Sequence, residues 1–151
     1  MEIKNVTVIG AGTMGNGIAQ VFAMHAFNVT LCDISNEALE RALKTIRTKL
    51  DRMVNKGLVS QENAELTVGR VSISTDTSRA VASADLVVEA ATENFELKKK
   101  IFSQIDKATH PNCILATNTS SISITSLAAA TSDPSRVIGM HFMNPVPVMK
   151  L

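Results

Sequence analysis

The sequence of 151 residues has no tryptophan and no tyrosine, and its only aromatic side chains are five phenylalanines. Its 15 lysines and arginines stand against 14 aspartates and glutamates, which leaves a formal net charge of +1. Proteins that bind nucleic acid use positive charge against phosphates and aromatic rings against bases. Because this chain has little of either, it is not expected to bind nucleic acid.

Cysteine is also scarce, since only Cys32 and Cys113 are present, 81 residues apart. Two thiols form neither a disulfide framework nor a set of four zinc ligands, so we expect no metal site. Both cysteines lie in apolar, strand-like runs, and we expect them to be buried free thiols, as in a reducing compartment. The predicted location is therefore cytoplasmic.

Long uninterrupted hydrophobic runs are absent as well. Glycines within residues 10–17 break the apolar N-terminal stretch, and no run reaches the roughly 18 apolar residues that a membrane span needs. Met1 and Glu2 do not form the basic start of a signal peptide. We expect neither a membrane span nor a membrane partner.

What the sequence does contain is an alternation of short β-branched runs with longer helical patterns. The predicted strands cover residues 3–9, 28–33, 71–74, 85–90, 113–117 and 136–141, and the predicted helices include 13–26, 95–108 and 123–130. Such alternation implies right-handed crossovers and a mainly parallel sheet that is covered on both faces. The expected class is a doubly wound α/β fold, and 45% hydrophobic residues suffice for its core.

A helical hairpin is predicted after the second strand. The 36 residues between Asp33 and Arg70 exceed what one crossover helix needs. Ser35 can cap a long helix that ends before Gly57, and Ser60 can cap a shorter one. An apolar stripe at spacings of three and four follows the long helix: Leu39, Leu43, Ile46, Leu50 and Met53.

A glycine-rich turn joins the first strand to the first helix and consists of Gly10, Ala11, Gly12, Thr13, Met14 and Gly15. The three glycines suit, in order, a tight turn, a close approach of pyrophosphate and close packing of helix against strand. Phosphates would then lie at the helix N-terminus, where free N–H groups favour negative charge. Taken alone, the pattern also fits an ordinary glycine turn.

Asp33 ends the second strand, 18 residues after Gly15. A carboxylate at this place in a dinucleotide-binding fold accepts hydrogen bonds from the adenosine ribose. It would repel the 2′-phosphate of NADP, and the next residues, Ile34 and Ser35, bring no arginine, so the predicted cofactor is NAD. On its own, Asp33 is also compatible with a turn or helix-capping role.

Of the three histidines, His25 near a helix end and His110 in a loop are interpreted as structural. His141 ends a predicted apolar strand, and ligands of doubly wound sheets collect at the carboxyl ends of strands. The residues alone leave His141 open between catalysis and a strand-end role. Pro145 and Pro147 predict a rigid, extended path for the segment after it.

Other polar residues fit plain structural roles when they are taken alone. Glu89 and Glu93 after the fourth strand are typical of solvated loop carboxylates, and Ser120 is typical of a serine turn. Lys49 and Lys56 on the long hairpin helix are typical of a solvated helix face. Attraction of these lysines to the phosphates of an anionic ligand is the alternative.

Four segments together resemble one enzyme family. They are residues 10–20, the run Val88-Glu89-Ala90 with Glu93, the run Asn118-Thr119-Ser120-Ser121, and residues 139–151, GMHFMNPVPVMKL. In this combination the chain resembles the L-3-hydroxyacyl-CoA dehydrogenase family over essentially its whole length, and its bacterial 3-hydroxybutyryl-CoA members most of all. The resemblance implies a Rossmann-type fold with NAD bound at residues 10–15 and at Asp33. Met143 stands where a second phenylalanine is common, a volume-tolerant exchange.

The resemblance also implies catalytic roles. His141 corresponds to the general base, Ser120 to the contact with the substrate oxygen, and Asn144 to a residue near the nicotinamide. A secondary alcohol loses a proton as its hydride leaves, and a neutral imidazole suits that transfer at about pH 7. The implied reaction is the oxidation of (S)-3-hydroxyacyl-CoA to 3-oxoacyl-CoA and its reverse.

Three more residues take binding roles from the resemblance. Glu93 belongs on the nicotinamide side, Lys98 contacts the cofactor or coenzyme A, and Lys56 on the hairpin helps to hold the coenzyme A of an acyl-CoA substrate. The family further has an all-helical C-terminal domain for substrate binding and homodimer formation. We expect residues 1–151 to be an NAD-binding domain that stops before that domain. A binding module without turnover is the alternative to an enzyme.

Overall fold

Strands and helices alternate along the chain, and the computed structural model describes all of residues 1–151. The first half contains β1 Asn5–Ile9, α1 Thr13–Met24, β2 Asn28–Cys32, α2 Asn36–Asn55, α3 Gln61–Gly69 and β3 Val71–Ser74. The second half contains α4 Thr77–Val81, β4 Leu86–Glu89, α5 Phe95–Ala108, β5 Ile114–Thr117, α6 Ile124–Ala128, a 3₁₀ turn Pro134–Arg136 and β6 Val137–Gly139.

All six strands form one sheet in the order β3-β2-β1-β4-β5-β6. Every neighbouring pair is parallel, and Val8 of β1 is in register with Leu31 of β2 and Val88 of β4. The chain winds outward in opposite directions on the two sides of β1, so a crevice opens between the carboxyl ends of β1 and β4. The predicted doubly wound α/β fold is confirmed, with a sheet that is parallel throughout.

Two hydrophobic cores, one on each face of the sheet, explain why the central strands are apolar on both sides. Successive side chains of a strand point to opposite faces, so Val88 packs in the core beneath α1 and α2. Val87 packs in the other core with Phe102 of α5. None of the helices combines the length and the apolar character that crossing a bilayer would require.

Both cysteines are buried free thiols, as the sequence predicts. Cys32 ends β2, and Cys113 directly precedes β5. Burial raises the pKa of the Cys113 thiol to about 11, so it stays protonated at neutral pH. Each therefore behaves as a small apolar core residue.

The insertion after β2 is a pair of helices, as predicted. Ser35 caps α2, because its hydroxyl accepts a hydrogen bond from the N–H of Ala38 at 3.1 Å. Ser60 caps α3 by accepting from the N–H of Asn63 at 3.1 Å. Between the helices Gly57 has φ = 72°, a left-handed conformation that glycine adopts without strain. Three side chains of the predicted stripe are buried: Leu39, Ile46 and Leu50.

Two local features differ from the prediction. α4 has only five residues, too few to show a helical period, and the carboxylate of Asp76 caps it. The segment after His141 turns instead of running extended, because the N–H groups of Val148 and Met149 both donate to the carbonyl of Pro145. Proline lacks an N–H, but its carbonyl still accepts hydrogen bonds, so the residue supports a turn.

Candidate cofactor and active site

The glycine turn between β1 and α1 fits a bound dinucleotide. Gly10 has φ = 102°, and a side chain there would lie 2.6 Å from the carbonyl oxygen of Ala90. A Cβ at Gly15 would overlap the carbonyl oxygen of Gly10, so only glycine lets α1 pack this closely. Around Gly12, an added Cβ meets no atom within 4 Å. This open space lies at the N-terminus of α1, where no side chain caps the N–H groups and phosphates can bind.

Asp33 follows β2 and lies beside the glycine turn. Its Oδ2 accepts a hydrogen bond from the N–H of Ala11 at 2.9 Å, and its Oδ1 accepts one from the N–H of Ser35 at 2.9 Å. Asp33 thus has the turn role that the residues alone allowed, and it ties the glycine turn to the end of β2. Each carboxylate oxygen keeps a further lone pair, so the group can also accept hydrogen bonds from a ribose.

A cleft of ≈ 450 Å³ lies at the carboxyl ends of the central strands. Four chain segments line it, with the residues Met14, Ala90, Ala91, Glu93, Asn118, Ser120, His141, Phe142, Met143 and Asn144. The fold brings five predicted site residues together here: Met14, Glu93, Ser120, His141 and Asn144. The other residues of the glycine turn and Asp33 lie outside this cleft, along the carboxyl ends of β1 and β2.

His141 is exposed in the cleft, and the backbone on both sides of it is fixed. The N–H of Met140 donates to the carbonyl of Thr117 at 2.9 Å. The N–H of Phe142 donates to Oδ1 of Asn118 at 2.8 Å, beyond the end of β6. The sequence motif contains Asn118 but does not indicate this contact, because the partner is a backbone group 24 residues away.

Ser120 and Asn144 are both exposed at the cleft. Ser120 lies in the loop after β5, and Asn144 lies three residues beyond His141. Neither side chain takes part in a hydrogen bond within the protein. The hydroxyl and the amide are therefore free to bind a ligand.

Glu93 is held from two sides at the cleft. The hydroxyls of Thr119 and Ser121 donate to its Oε1, that of Ser121 at 3.0 Å, and Nζ of Lys98 lies 3.6 Å from its Oε2. Burial raises the pKa of Glu93, but these hydrogen bonds and the charge of Lys98 outweigh it and hold the pKa below its ordinary value. Glu93 is therefore ionised at neutral pH. The motif contains Thr119 but does not indicate this contact, because its partner lies 26 residues away.

Lys98 lies beneath this wall of the cleft, and its side chain is only 1% exposed. Its ammonium contacts Oε2 of Glu89 at 2.6 Å and the carbonyl of Ala91 at 3.1 Å. In this structure the partners of Lys98 are thus protein groups. The contact of Lys98 with the cofactor or coenzyme A stays a prediction.

Glu89 is fully buried at the end of β4, so the expectation of a solvated loop carboxylate is wrong. Its Oε1 accepts a hydrogen bond from the hydroxyl of Thr117 at 2.8 Å, and its Oε2 accepts one from the N–H of Ala91 at 2.7 Å. Together with Lys98, these donors satisfy a charge that burial would otherwise make unfavourable. They come from β5, the loop after β4 and α5, so local sequence does not reveal them.

A family model described as "3-hydroxyacyl-CoA dehydrogenase, NAD binding domain" matches residues 5–151. The chain belongs to the 3-hydroxyacyl-CoA dehydrogenase family. This confirms the family that the motifs resemble, and it identifies NAD as the cofactor of the domain. The open N-terminus of α1 and the spare lone pairs of Asp33 agree with that cofactor.

Curated relatives of this NAD-binding domain include bacterial enzymes. The 3-hydroxyadipyl-CoA dehydrogenase of Escherichia coli is 50% identical over 151 residues, which are 100% of this chain and 32% of the relative. A probable 3-hydroxybutyryl-CoA dehydrogenase of Bacillus subtilis is 48% identical, over 100% of this chain and 52% of the relative. The chain therefore spans about half or less of the length of these relatives.

Solved structures of 3-hydroxyacyl-CoA dehydrogenases share the fold. The 3-hydroxybutyryl-CoA dehydrogenase of Escherichia coli matches with a TM-score of 0.97 and 49% identity, over 99% of this chain and 32% of that one. The (S)-3-hydroxybutyryl-CoA dehydrogenase of Ralstonia eutropha matches with a TM-score of 0.96 and 48% identity, over 99% of this chain and 53% of that one.

The helical hairpin of this NAD-binding domain is joined directly to α1. Asn16 of α1 is buried and donates to the carbonyl of Ala42 at 3.0 Å, and Nζ of Lys49 lies 3.3 Å from its Oδ1. Lys56 is exposed at the end of α2 and does not line the cleft. The hairpin is thus fixed beside the helix that begins at the glycine turn.

Proposed function

We propose that the full-length protein oxidises (S)-3-hydroxyacyl-CoA to 3-oxoacyl-CoA with NAD and catalyses the reverse reduction. The proposed substrate pair is 3-hydroxybutyryl-CoA and acetoacetyl-CoA. One observation carries the proposal: His141, Ser120 and Asn144 share a single cleft with Met14 of the glycine turn. A hydroxyl group bound near His141 would therefore lie beside the cofactor site. Names of relatives, which include 3-hydroxybutyryl-CoA dehydrogenases, support this substrate class.

His141 is the proposed general base. When bound, NAD supplies a nicotinamide ring that accepts the hydride from C3 of the substrate. As that C–H bond breaks, His141 accepts the hydroxyl proton, and the C–O bond becomes a carbonyl. Ser120 donates a hydrogen bond to the same oxygen in both states. In the reduction, His141 in its protonated form returns the proton.

Replacement of His141 in the full-length enzyme tests this role. We expect His141→Asn to lower kcat about 10²–10⁴-fold, the usual contribution of general acid–base catalysis. The affinity for NADH should persist, because the backbone contacts of Met140 and Phe142 do not involve the imidazole. Turnover of acetoacetyl-CoA and NADH fluorescence measure the two effects, with His110→Asn as the control outside the cleft. An unchanged kcat would contradict the assignment.

The helical hairpin is the proposed site for the phosphates of coenzyme A. Between residues 36 and 57 it carries six positive side chains and three negative ones. Lys56 lies at the end of α2, where a cation also complements the helix dipole. A cationic surface attracts an anionic ligand over several ångströms. Lys98 is the second residue proposed to contact the cofactor or coenzyme A.

A binding module without turnover is the second candidate function for residues 1–151. It is favoured by the length of the chain, which spans about half or less of the relatives. We predict that this chain binds NADH but has little or no turnover. NADH fluorescence titration and an NADH oxidation assay with acetoacetyl-CoA, run on the same sample, measure both. A normal catalytic rate would overturn the second candidate, whereas absence of NADH binding would contradict both.

The remaining proposals concern the full-length protein. We propose that it forms a homodimer through a domain that follows the NAD-binding domain, as the family resemblance implies. We also propose a cytoplasmic location, in agreement with the two free thiols. Size-exclusion chromatography of the full-length protein measures the oligomeric state. An elution volume of a monomer at micromolar concentration would contradict the dimer.

A further inference from the structure

Three charged side chains form one connected cluster at the wall of the cleft, namely Glu89, Lys98 and Glu93. The side chains of Glu89 and Lys98 are 0% and 1% exposed, whereas that of Glu93 is 43% exposed and lines the cleft. The cluster therefore contains one buried ion pair and one carboxylate that is accessible to a ligand.

The single positive charge of the cluster is closer to the buried carboxylate. Nζ of Lys98 lies 2.6 Å from Oε2 of Glu89 and 3.6 Å from Oε2 of Glu93. Attraction between opposite charges falls with distance and is stronger away from water, so both factors favour the pairing with Glu89. The cluster as a whole keeps one net negative charge, and that charge is located on Glu93.

A negative charge at this wall acts differently on the two redox forms of the cofactor. The nicotinamide ring is cationic in NAD⁺ and uncharged in NADH. Under the proposed function, the ring binds in the cleft that Glu93 lines together with His141 and Ser120. The carboxylate of Glu93 then attracts the ring of NAD⁺ but has no net charge to attract in NADH.

We propose that Glu89 is a positioning residue that sets the preference of the site between NAD⁺ and NADH. It does so indirectly, by neutralising Lys98, so that the charge of Glu93 is not cancelled and acts on the nicotinamide. The proposal rests on the proposed function, because it requires that the ring binds against Glu93. It assigns a role to a buried carboxylate that does not itself contact the cofactor.

Glu89→Gln is the variant that tests this role. Glutamine has the same shape, and its amide oxygen can still accept from Lys98 and from the N–H of Ala91. Its amide nitrogen can donate to the hydroxyl oxygen of Thr117, which keeps this contact with its direction reversed. Only the negative charge is lost, and Lys98 is left to compensate Glu93.

The measured quantity is the ratio of the dissociation constants of NAD⁺ and NADH, from calorimetry and fluorescence titration of the protein without substrate. We expect Glu89→Gln to raise this ratio about three- to tenfold, through weaker binding of NAD⁺. Glu93→Gln should raise it in the same direction, because it removes the same net charge. Glu62 is an exposed carboxylate on α3, so Glu62→Gln is the control and should leave the ratio unchanged.

A double variant separates charge from packing. Glu89→Gln combined with Lys98→Met removes both buried charges, so the negative charge of Glu93 is again not cancelled by a neighbour. The double variant is expected to fold, because a buried ion pair can often be replaced without loss of stability. A contact of Lys98 with coenzyme A does not enter this ratio, and a contact that NAD⁺ and NADH share cancels in it. We therefore expect the ratio to return to within about twofold of the native value, even where the two dissociation constants themselves change. If Glu89 were only structural, Glu89→Gln would weaken the binding of both cofactors to a similar extent and leave the ratio near its native value.

The outcomes distinguish this proposal from the proposed function. If the protein binds both cofactors and Glu89→Gln leaves the ratio unchanged, the role of Glu89 is wrong, while the cofactor site stands. If Glu89→Gln raises the ratio but the double variant does not lower it, charge is not the cause and the proposal also fails. If neither cofactor binds to the native protein, the proposed function itself is contradicted.

Discussion

At the scale of single residues, some glycines of the turn are required by the fold and others by the ligand, and the sequence motif does not distinguish the two. Gly15 is required by the fold, because a side chain there would overlap the carbonyl oxygen of Gly10. Gly12 is not required by the fold, since the space around it is open. Its place at the uncapped N-terminus of α1 indicates that the ligand requires it instead.

This difference predicts opposite results for two alanine variants. Gly15→Ala should lower the free energy of unfolding by about 2–3 kcal/mol, because α1 must move away from β1. Gly12→Ala should leave it within about 0.5 kcal/mol, because its Cβ meets no protein atom. Its dissociation constant for NADH should rise about tenfold or more, which corresponds to roughly 1.4 kcal/mol.

Urea unfolding and NADH fluorescence titration measure the two properties, and each variant is the control for the other. A Gly12→Ala protein that binds NADH as tightly as the native chain would show that the phosphates do not approach this turn closely.

Asp33 determines the choice between NAD and NADP if it binds the ribose as proposed. Asp33→Arg exchanges a charge that repels a 2′-phosphate for one that attracts it, so the preference for NADH over NADPH should fall about tenfold or more. Fluorescence titration with both reduced cofactors measures the preference. Asp51→Arg on the exposed side of α2 changes the net charge equally and should have no such effect. An unchanged preference in Asp33→Arg would refute the ribose assignment.

At the scale of elements, an ion pair fixes the start of β6, the strand that leads to His141. Arg136 precedes β6 and contacts Oδ1 of Asp106 in α5 at 2.6 Å, and both side chains are largely buried. The same guanidinium donates to the carbonyls of His110 and Cys113. One arginine thus joins α5, the start of β5 and the start of β6.

Asp106→Ala should destabilise the protein, because it leaves the buried guanidinium of Arg136 without its counter-charge. We expect a loss of about 3 kcal/mol in the free energy of unfolding at neutral pH, as for other broken buried pairs. Chemical denaturation measures it, and Asp51→Ala on the surface of α2 is the control. A loss no larger than that of the control would mean that the carbonyl acceptors alone suffice for Arg136.

The same pair predicts a pH dependence of stability. Burial raises the pKa of Asp106, but hydrogen bonds from Ser132 and Arg136 outweigh it, so that the pKa lies below its ordinary value in the folded protein. A carboxylate of this kind stabilises the fold above its unfolded pKa, and the contribution is lost as pH falls through its folded pKa. The stability difference between native protein and Asp106→Ala should therefore be constant near neutrality and shrink below about pH 4.

A lysine of the helical hairpin is expected to affect the binding of acyl-CoA but not that of NADH. If Lys56 contacts a phosphate of coenzyme A, Lys56→Ala should raise the KM for acetoacetyl-CoA in the full-length enzyme about two- to fivefold, as for an exposed charge pair. The KM for NADH should change less, because Lys56 lies outside the cleft and the glycine turn. Lys107→Ala on α5 removes the same charge elsewhere. Equal effects on both KM values would count against the contact.

At the scale of the whole molecule, the sequence predicts the sheet and the hairpin well. Apolar runs and helical periods are properties of single segments, and the crossover rule joins them into a parallel sheet. The exceptions are short or depend on distant groups. α4 is too short for a period, and the turn after His141 depends on which N–H groups reach the carbonyl of Pro145.

The site is predicted less completely than the fold. Motifs and resemblance lead to the residues that line the cleft, such as His141 and Ser120. They do not reveal the residues behind it, because Glu89 is satisfied by Thr117 and Lys98 from two other elements. The contact of Asn118 is not revealed either, because its partner is the backbone N–H of Phe142 in a distant segment. Such contacts exist only after the sheet has brought the loops together.

The central position of β1 also has a consequence for the order in which the protein folds during synthesis. β1 pairs with β4, where Val6 is in register with Leu86, and the carboxylate of Asp85 accepts hydrogen bonds from the N–H groups of Lys4 and Asn5. During synthesis β1 therefore lacks one neighbour until β4 has emerged from the ribosome. Sheets built from such distant pairs form slowly. We expect the nascent chain to become resistant to protease only once β4 and the loop after it are outside the ribosome.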